Sequence, residues 1–176
     1  SELPDFSALP GKEAAEHHQS GIVIAPTLDY MDKAYIDAKS YGWSSAPIVE
    51  MLIPSTMDTT LAPEGKHVAS LFCQQFSPNL PDGSSWHDHR FAAADTIIET
   101  VNKHAPNFKE SILGMMILSP LDLEEKFGLI GGDIMHGQMS LDQMWVARPL
   151  MNYGNYRGPL KSLYMCGSGT HPGGGV

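Results

Sequence analysis

Cysteine and long apolar runs are both scarce in this sequence. Cys73 and Cys166 are the only cysteines among 176 residues. Neither has another cysteine or a histidine at metal-ligand spacing, so neither a disulfide framework nor a zinc site is predicted. We expect two buried thiols. The apolar runs at 21–26 and 111–120 are far shorter than the roughly 20 residues that span a bilayer, so no transmembrane helix is predicted.

Positive charge is also in short supply, which excludes two classes of partner. Eleven lysines and arginines stand against 20 acidic residues, a formal net charge of -9. No basic cluster reverses that sign locally, so nucleic acid and anionic membrane surfaces are not expected as partners. The N-terminus has no basic stretch followed by an apolar core, so no secretory signal is predicted. We expect an intracellular protein, cytoplasmic in a bacterium and with a mitochondrial location left open in a eukaryote.

Apolar periodicity predicts an α+β fold, with a mixed or antiparallel sheet and flanking helices. A helical face is indicated by Phe91, Ala94, Ile97, Ile98 and Val101. Strands are expected near 21–25, 47–53, 67–76 and 111–118, with helices near 28–40 and 87–104. A short helix is expected between Pro120 and Gly128, which are typical first and last residues.

The C-terminal segment LYMCGSGTHPGGGV has the form of a strand that runs into a glycine-rich turn. Such a turn brings backbone N–H groups close to a phosphate or a cofactor ring, because side chains do not block the approach. Gly167 and Gly169 match the opening of a dinucleotide fingerprint, but the next glycine, Gly173, comes one position late. A complete Rossmann site is therefore not predicted. A flexible glycine-rich end is the alternative.

The same segment resembles the flavin-contact motif T-H-P-G-x-G-V of the phytoene-desaturase-like flavoproteins. A second segment, upstream, resembles the glycine-rich approach, Ser-Leu-x-Gln helix and Arg-Pro pair of that family. The matching positions are Gly167, Gly169, Thr170, His171, Pro172, Gly173, Gly175 and Val176 in the first segment, and Ser140, Leu141, Gln143, Arg148 and Pro149 in the second.

The resemblance implies the C-terminal fragment of a FAD-dependent oxidoreductase that lacks the nucleotide-binding half and is inactive alone. It implies a lead-in at 1–20, a substrate-side domain at 21–160 and, at 161–176, the last strand and turn of the flavin domain. That strand, near 162–166, has an unpaired edge that suggests a homodimer of the piece. The resemblance places the FAD contacts at Gly167, Ser168, Gly169, Thr170, His171, Pro172, Gly173, Gly174, Gly175 and Val176.

His171 has two interpretations. Its ring either faces the flavin, where a group titrating near neutral pH modulates charge or shuttles a proton, or it bonds a backbone carbonyl within the turn.

Four polar residues ahead of the turn are candidates for a substrate cavity: Asp133, His136, Gln138 and Asp142. Asp133, His136 and Asp142 set this sequence apart from true carotenoid desaturases, because polar groups are poorly suited to a long hydrocarbon. An apolar or amphipathic small molecule is the expected substrate, with these side chains acting as acid or base. Capping and loop hydrogen bonds are the alternative explanation.

A self-contained small-molecule or protein binding module without catalysis is the rival interpretation of the whole chain. Disulfide exchange is not predicted, because the sequence has no C-x-x-C pair. His87 and His89 do not indicate a metal site, since residues two apart on a helix do not face each other.

Overall fold

The computed structural model describes residues 1–11, 13–137 and 140–171. The chain divides into two compact units, 1–118 and 119–176. The boundaries expected from the resemblance, at 20/21 and 160/161, stay a prediction. Each unit is described by itself below.

A three-stranded antiparallel sheet forms the first unit, in the order β1, β2, β3. The strands are β1 (Ile22–Ile24), β2 (Trp43–Leu52) and β3 (Ser70–Phe76). Register pairs Ile24 with Val49 and Val49 with Cys73. The predicted α+β class is therefore confirmed, and of the two expected kinds of sheet, mixed or antiparallel, the antiparallel one is present.

Two helices flank the sheet, and local capping sets where each begins. Helix α1 (Leu28–Tyr41) begins after Thr27, whose hydroxyl accepts the Tyr30 N–H at 3.1 Å. It ends at Gly42, where φ is +100° and a Cβ would lie 2.6 Å from Leu80 Cδ2, so glycine is required. Helix α2 (Trp86–Asn102) begins after Ser85, which caps the N–H of His87.

The buried face of α2 differs at one position from the predicted one. Ala94, Ile98 and Val101 are buried as expected, but Phe91 is 57% exposed.

A short helix, α3 (Phe108–Ser111), follows α2. The core combines residues of the sheet, α2 and α3 with the N-terminal segment: Leu3, Phe6, Ile24, Val49, Met51, Ile53, Ile98, Val101, Ala105 and Phe108.

The N-terminal segment contributes to the core of the first unit. Leu3 and Phe6 are buried, and the Asn107 side chain donates to the Leu3 carbonyl and accepts the Asp5 N–H, at 2.9 and 2.7 Å. His18, in the 3-10 turn Glu16–Gln19, is 1% exposed.

An aromatic pair packs at the first residue of β2. The Trp43 and Trp86 ring centroids are 5.6 Å apart, and the indole N–H of Trp86 donates to the Ser77 carbonyl at 2.9 Å. This hydrogen bond satisfies the polar atom of a side chain that is only 3% exposed.

The predicted strand at 111–118 is wrong. Residues 112–118 form neither a helix nor a strand, and they pair with no strand in the described part of the chain. Leu113 and Met116 are 70% and 81% exposed. An apolar sequence favours a strand, but a strand also requires a neighbour to accept its backbone hydrogen bonds.

The second unit begins with α4 (Pro120–Phe127), where the prediction is confirmed. Ser119 and Asp122 form a capping box, with the Ser119 N–H donating to Asp122 at 3.0 Å. Gly128 ends the helix with φ +70°. Three 3-10 turns follow, Ile130–Gly132, Leu141–Gln143 and Trp145–Ala147.

The predicted final strand near 162–166 is also wrong. Tyr164 forms a single isolated bridge with Arg157. Hydrogen bonds from Gly158 N–H to the Leu163 carbonyl and from Met165 N–H to the Tyr156 carbonyl, both 2.9 Å, close a tight loop. Because the segment folds back on its own neighbours, it forms only this short pairing.

Among the described residues, no helix combines the length and apolarity needed to cross a membrane.

Candidate functional site

A tight turn at 167–170 carries the described part of the glycine-rich motif. The N–H and the hydroxyl of Thr170 both donate to the Gly167 carbonyl, at 3.1 and 2.8 Å. Gly167 has φ +97°, and no atom lies within 4 Å of a Cβ built on it. Thr170 is 5% exposed, so its side chain is turned inward. The turn therefore leaves the backbone at Gly167 open, and Ser168 is half-buried beside it.

His171 lies at the end of this turn, against Tyr156. The two ring centroids are 6.1 Å apart in an edge-on arrangement. Nδ1 of His171 is buried and has no hydrogen-bond partner among the described residues. Pro172, Gly173, Gly174, Gly175 and Val176, the rest of the predicted FAD contacts, lie outside the described residues.

The loop at 133–137 supplies two of the predicted substrate residues. The Asp133 carboxylate accepts the N–H groups of Met135 at 2.8 Å and Gly137 at 2.6 Å, so it closes its own loop. His136 has φ +55° and is exposed. A Cβ on Gly169 would lie 4.0 Å from the Cβ of His136. The structure thus brings His136 next to the glycine-rich turn.

Asp142, a third predicted substrate residue, forms a local contact. It is exposed and accepts a hydrogen bond from the Ser140 hydroxyl, a loop hydrogen bond of the kind that the alternative explanation names. Gln138 lies outside the described residues.

Arg148 is fully buried, which the sequence pattern did not indicate. Its guanidinium donates to the carbonyl oxygens of Gln143 at 3.1 Å, Met135 at 3.1 Å and His136 at 2.6 Å. Arg148 is 2% exposed. Its only signal in the sequence was the Arg-Pro pair of the motif. Tyr156, the neighbour of His171, had no signal at all.

The two cysteines have different surroundings, and the expectation of two buried thiols is wrong, since Cys73 is only half-buried. Burial, and secondarily the charge of Glu50, raise the pKa of the Cys73 thiol to about 12. Cys166 is exposed, directly before the turn.

Within the described ranges, no group of three or more His, Cys, Asp or Glu side chains could hold a metal ion.

Sequence comparison defines the class of protein to which this arrangement corresponds. No protein-family model matches the chain. Phytoene desaturase of Fusarium fujikuroi is 29% identical over 155 residues, 75% of this chain and 26% of that protein. The 4,4'-diapophytoene desaturase of Staphylococcus aureus is 29% identical over 138 residues, 74% of this chain and 26% of that protein. The chain is thus similar in sequence to phytoene-desaturase-like oxidoreductases, and the resemblance is confirmed.

A second set of relatives is much more similar. Pyridine nucleotide-disulfide oxidoreductase domain-containing protein 2 is 46% identical in Rattus norvegicus and 45% identical in Mus musculus, over 180 residues and 99% of this chain. The chain spans 31% of the length of these two curated relatives.

Proposed function

We propose that this chain is the C-terminal piece of a FAD-dependent oxidoreductase and supplies part of a substrate cavity and one wall of the flavin site. The observation that carries the proposal is the 46% identity, over nearly the whole chain, to a protein named as an oxidoreductase. The exposed apolar surface of 112–118 supports a piece of a larger protein over a self-contained binding module, because a closed module buries such a run.

The turn at 167–170 fits the requirements of a flavin contact. No atom lies within 4 Å of a Cβ built on Gly167, and Thr170 directs its hydroxyl back to the Gly167 carbonyl. A flat ring system can therefore approach backbone atoms directly. His171 adds a buried nitrogen without a partner among the residues that the structure describes. When bound, FAD supplies hydride or electron transfer, while the protein orients it.

His136 is the residue best placed to act on a substrate at this wall. It is exposed and lies beside Gly169, and an imidazole accepts or donates a proton near neutral pH. Asp133 is less suited, since its carboxylate is occupied by two backbone N–H groups. The exposed apolar residues of the second unit include Leu141, Val146 and Leu150, which supports an apolar or amphipathic substrate.

We also propose that these 176 residues alone hold FAD weakly and do not catalyse the reaction. The sequence contains no G-x-G-x-x-G strand-turn-helix segment. Such a segment binds the pyrophosphate of a dinucleotide at a helix N-terminus and contributes much of the anchoring.

A flavin titration tests the proposal. FAD fluorescence is measured against this chain, against a longer form that adds a nucleotide-binding half, and against the longer form with Gly169→Val. We expect stoichiometric binding by the longer form and binding weaker by about tenfold with Gly169→Val, because its side chain blocks approach to the turn. Gly114→Val is the matched control, since a Cβ there meets no atom within 4 Å.

Two outcomes contradict the proposal. If the longer form does not bind FAD, the chain is not part of a flavoprotein and the binding-module interpretation replaces it. If Gly169→Val and Gly114→Val bind FAD equally well, the turn is not the flavin wall.

A further inference from the structure

A buried guanidinium without a carboxylate partner is unusual, and Arg148 is one. It is 2% exposed, and no Asp or Glu pairs with it in the described part of the chain. Burying a charge is costly unless hydrogen bonds compensate for the lost water. Among the described residues, Nη1 and Nη2 donate to backbone carbonyl oxygens, and Nε is buried without a partner. An apolar side chain could fill a core position without that cost, so the hydrogen-bond geometry of arginine itself is what this position uses.

The three carbonyl groups come from two separate segments. Met135 and His136 belong to the loop at 133–137, and Gln143 ends the 3-10 turn Leu141–Gln143. A planar group with donors that diverge in a fixed plane is suited to bond both segments at once. Arg148 therefore holds the loop to the turn that follows it. A Cβ on Gly137 would lie 3.7 Å from Nη2 of Arg148, so the loop also packs against the guanidinium.

The loop held by Arg148 is the one that lies beside the glycine-rich turn. The shortest of the three hydrogen bonds, 2.6 Å, is to the carbonyl of His136, the residue beside Gly169. His136 has φ +55°, a conformation that a residue other than glycine adopts at a cost and keeps only when its surroundings hold it there. The bond to Arg148 is such a restraint.

We infer that Arg148 is a positioning residue for the flavin wall: its guanidinium fixes the backbone of His136, and His136 fixes the turn at 167–170. This inference rests on the proposed function for its role in FAD binding. The inferred mechanical link between Arg148 and the turn does not depend on FAD. Arg148 touches neither substrate nor cofactor in this scheme, and its contribution is geometric.

Amide hydrogen exchange of the 176-residue chain, followed residue by residue by NMR, tests the link. In Arg148→Met we expect the Thr170 N–H, bonded to the Gly167 carbonyl, to exchange about tenfold faster, while Val49 and Met51 in the first unit keep their rates. Arg148→Lys keeps the positive charge but lacks the planar, forked arrangement of N–H donors. We therefore expect nearly the same acceleration of Thr170 exchange. Arg157→Met is the matched control, because Arg157 is exposed and lies over the Tyr164 ring.

The inference is overturned if Arg148→Met speeds amide exchange within 135–148 and leaves the Thr170 rate unchanged, since Arg148 then stabilises only its own segment. It is also overturned if Arg148→Lys restores the wild-type rate, because charge and not geometry is then responsible. His136→Gly decides the question if Arg148→Met unfolds the whole second unit. Glycine adopts φ +55° without strain and keeps the carbonyl, so Thr170 must loosen in this variant while Gly137 keeps its rate.

A FAD titration of the longer form separates this inference from the proposed function. We expect Arg148→Met to weaken FAD binding about tenfold and Arg157→Met to leave it unchanged. If the wild-type longer form binds no FAD, the proposed function is wrong, and the exchange data alone decide whether Arg148 positions the turn. If FAD binds equally well with and without Arg148, the positioning role at the flavin wall is wrong although the proposed function stands.

Discussion

Nε2 of His18 lies 2.9 Å from the carbonyl oxygen of Pro4. Because Nδ1 of the same ring accepts the Ala15 N–H at 3.1 Å, Nε2 carries the proton and donates it to Pro4. Both ring nitrogens of His18 therefore have a backbone partner. The ring ties the 3-10 turn Glu16–Gln19 to the N-terminal segment that contributes Leu3 and Phe6 to the core.

The first prediction is that acid destabilises the first unit. Burial, and then the neighbouring His18, lower the pKa of His17 below 6.5, and burial, the N-terminal ammonium and His18 lower that of His67. A lowered histidine pKa contributes stability above the unfolded value, and this stability is lost as pH falls through the folded value. We expect the thermal unfolding midpoint to fall between about pH 7 and about pH 5.

Circular dichroism across this pH range checks the prediction. His17→Asn is expected to flatten the pH dependence, whereas His104→Asn, at an exposed position, is expected to leave it as it is. A midpoint that stays constant from about pH 7 to about pH 5 in the parent chain would contradict the role given to these histidines.

The second prediction concerns Asp37, which is 7% exposed. Its carboxylate accepts hydrogen bonds from the Ser45 hydroxyl at 2.5 Å and from Lys33 at 3.1 and 3.0 Å. The Ser45 hydroxyl and then Lys33 lower the pKa of Asp37 below 3.8. Its stabilising effect is therefore present above that value and is lost as pH falls through the lowered pKa.

We expect Asp37→Ala to lower the free energy of unfolding by about 1–3 kcal/mol at neutral pH, since it removes the charged acceptor that Ser45 and Lys33 share. Urea denaturation measures the difference. Asp32→Ala, at an exposed position of the same helix, serves as the control. An equal effect of both substitutions would mean that helix α1, and not the hydrogen-bond network, determines the result.

The third prediction compares two glycines that follow helix α4. Gly128 and Gly132 have φ of +70° and +68°, but only Gly132 faces a backbone obstacle: a Cβ there would lie 2.6 Å from the Pro120 carbonyl oxygen. Gly128→Ala is expected to cost about 1–2 kcal/mol from the left-handed conformation alone. Gly132→Ala is expected to cost clearly more.

Unfolding of the two variants followed by NMR signals of the second unit tests this comparison. Equal destabilisation would show that the contact between Gly132 and Pro120 relaxes without cost.

The fourth prediction concerns thiol reactivity. The exposed Cys166 is expected to react with a thiol reagent at neutral pH within minutes, and Cys73 to remain unmodified, because a thiol with a pKa near 12 has almost no thiolate. Mass spectrometry should show one label per folded chain and two in denaturant. Two labels on the folded chain would indicate that β3 opens readily.

Local signals in the sequence were sufficient for much of the fold. Ser119, Pro120 and Gly128 delimit α4 through capping and backbone preferences that act within a few residues. Thr27 and Gly42 do the same for α1. These elements were predictable because the groups that determine them are adjacent in the chain.

The two strands that were predicted wrongly fail for the opposite reason. Residues 112–118 are apolar enough for a strand, yet whether a neighbour pairs with them depends on distant parts of the polypeptide. The burial of Arg148 could not be predicted from the sequence either. Its acceptors at 135, 136 and 143 are carbonyl groups, which every residue has, so no side-chain pattern marks them.

The arrangement of the three tryptophans gives each unit its own optical signature. Trp86 is buried against Trp43 in the first unit, where emission is expected at short wavelength, whereas Trp145 is 59% exposed in the second, where emission shifts to the red. A red shift of the native fluorescence therefore reports the loss of order in the first unit, with no dye attached. Trp145 emits to the red whether or not the second unit is folded, so that unit contributes a constant background to the same spectrum.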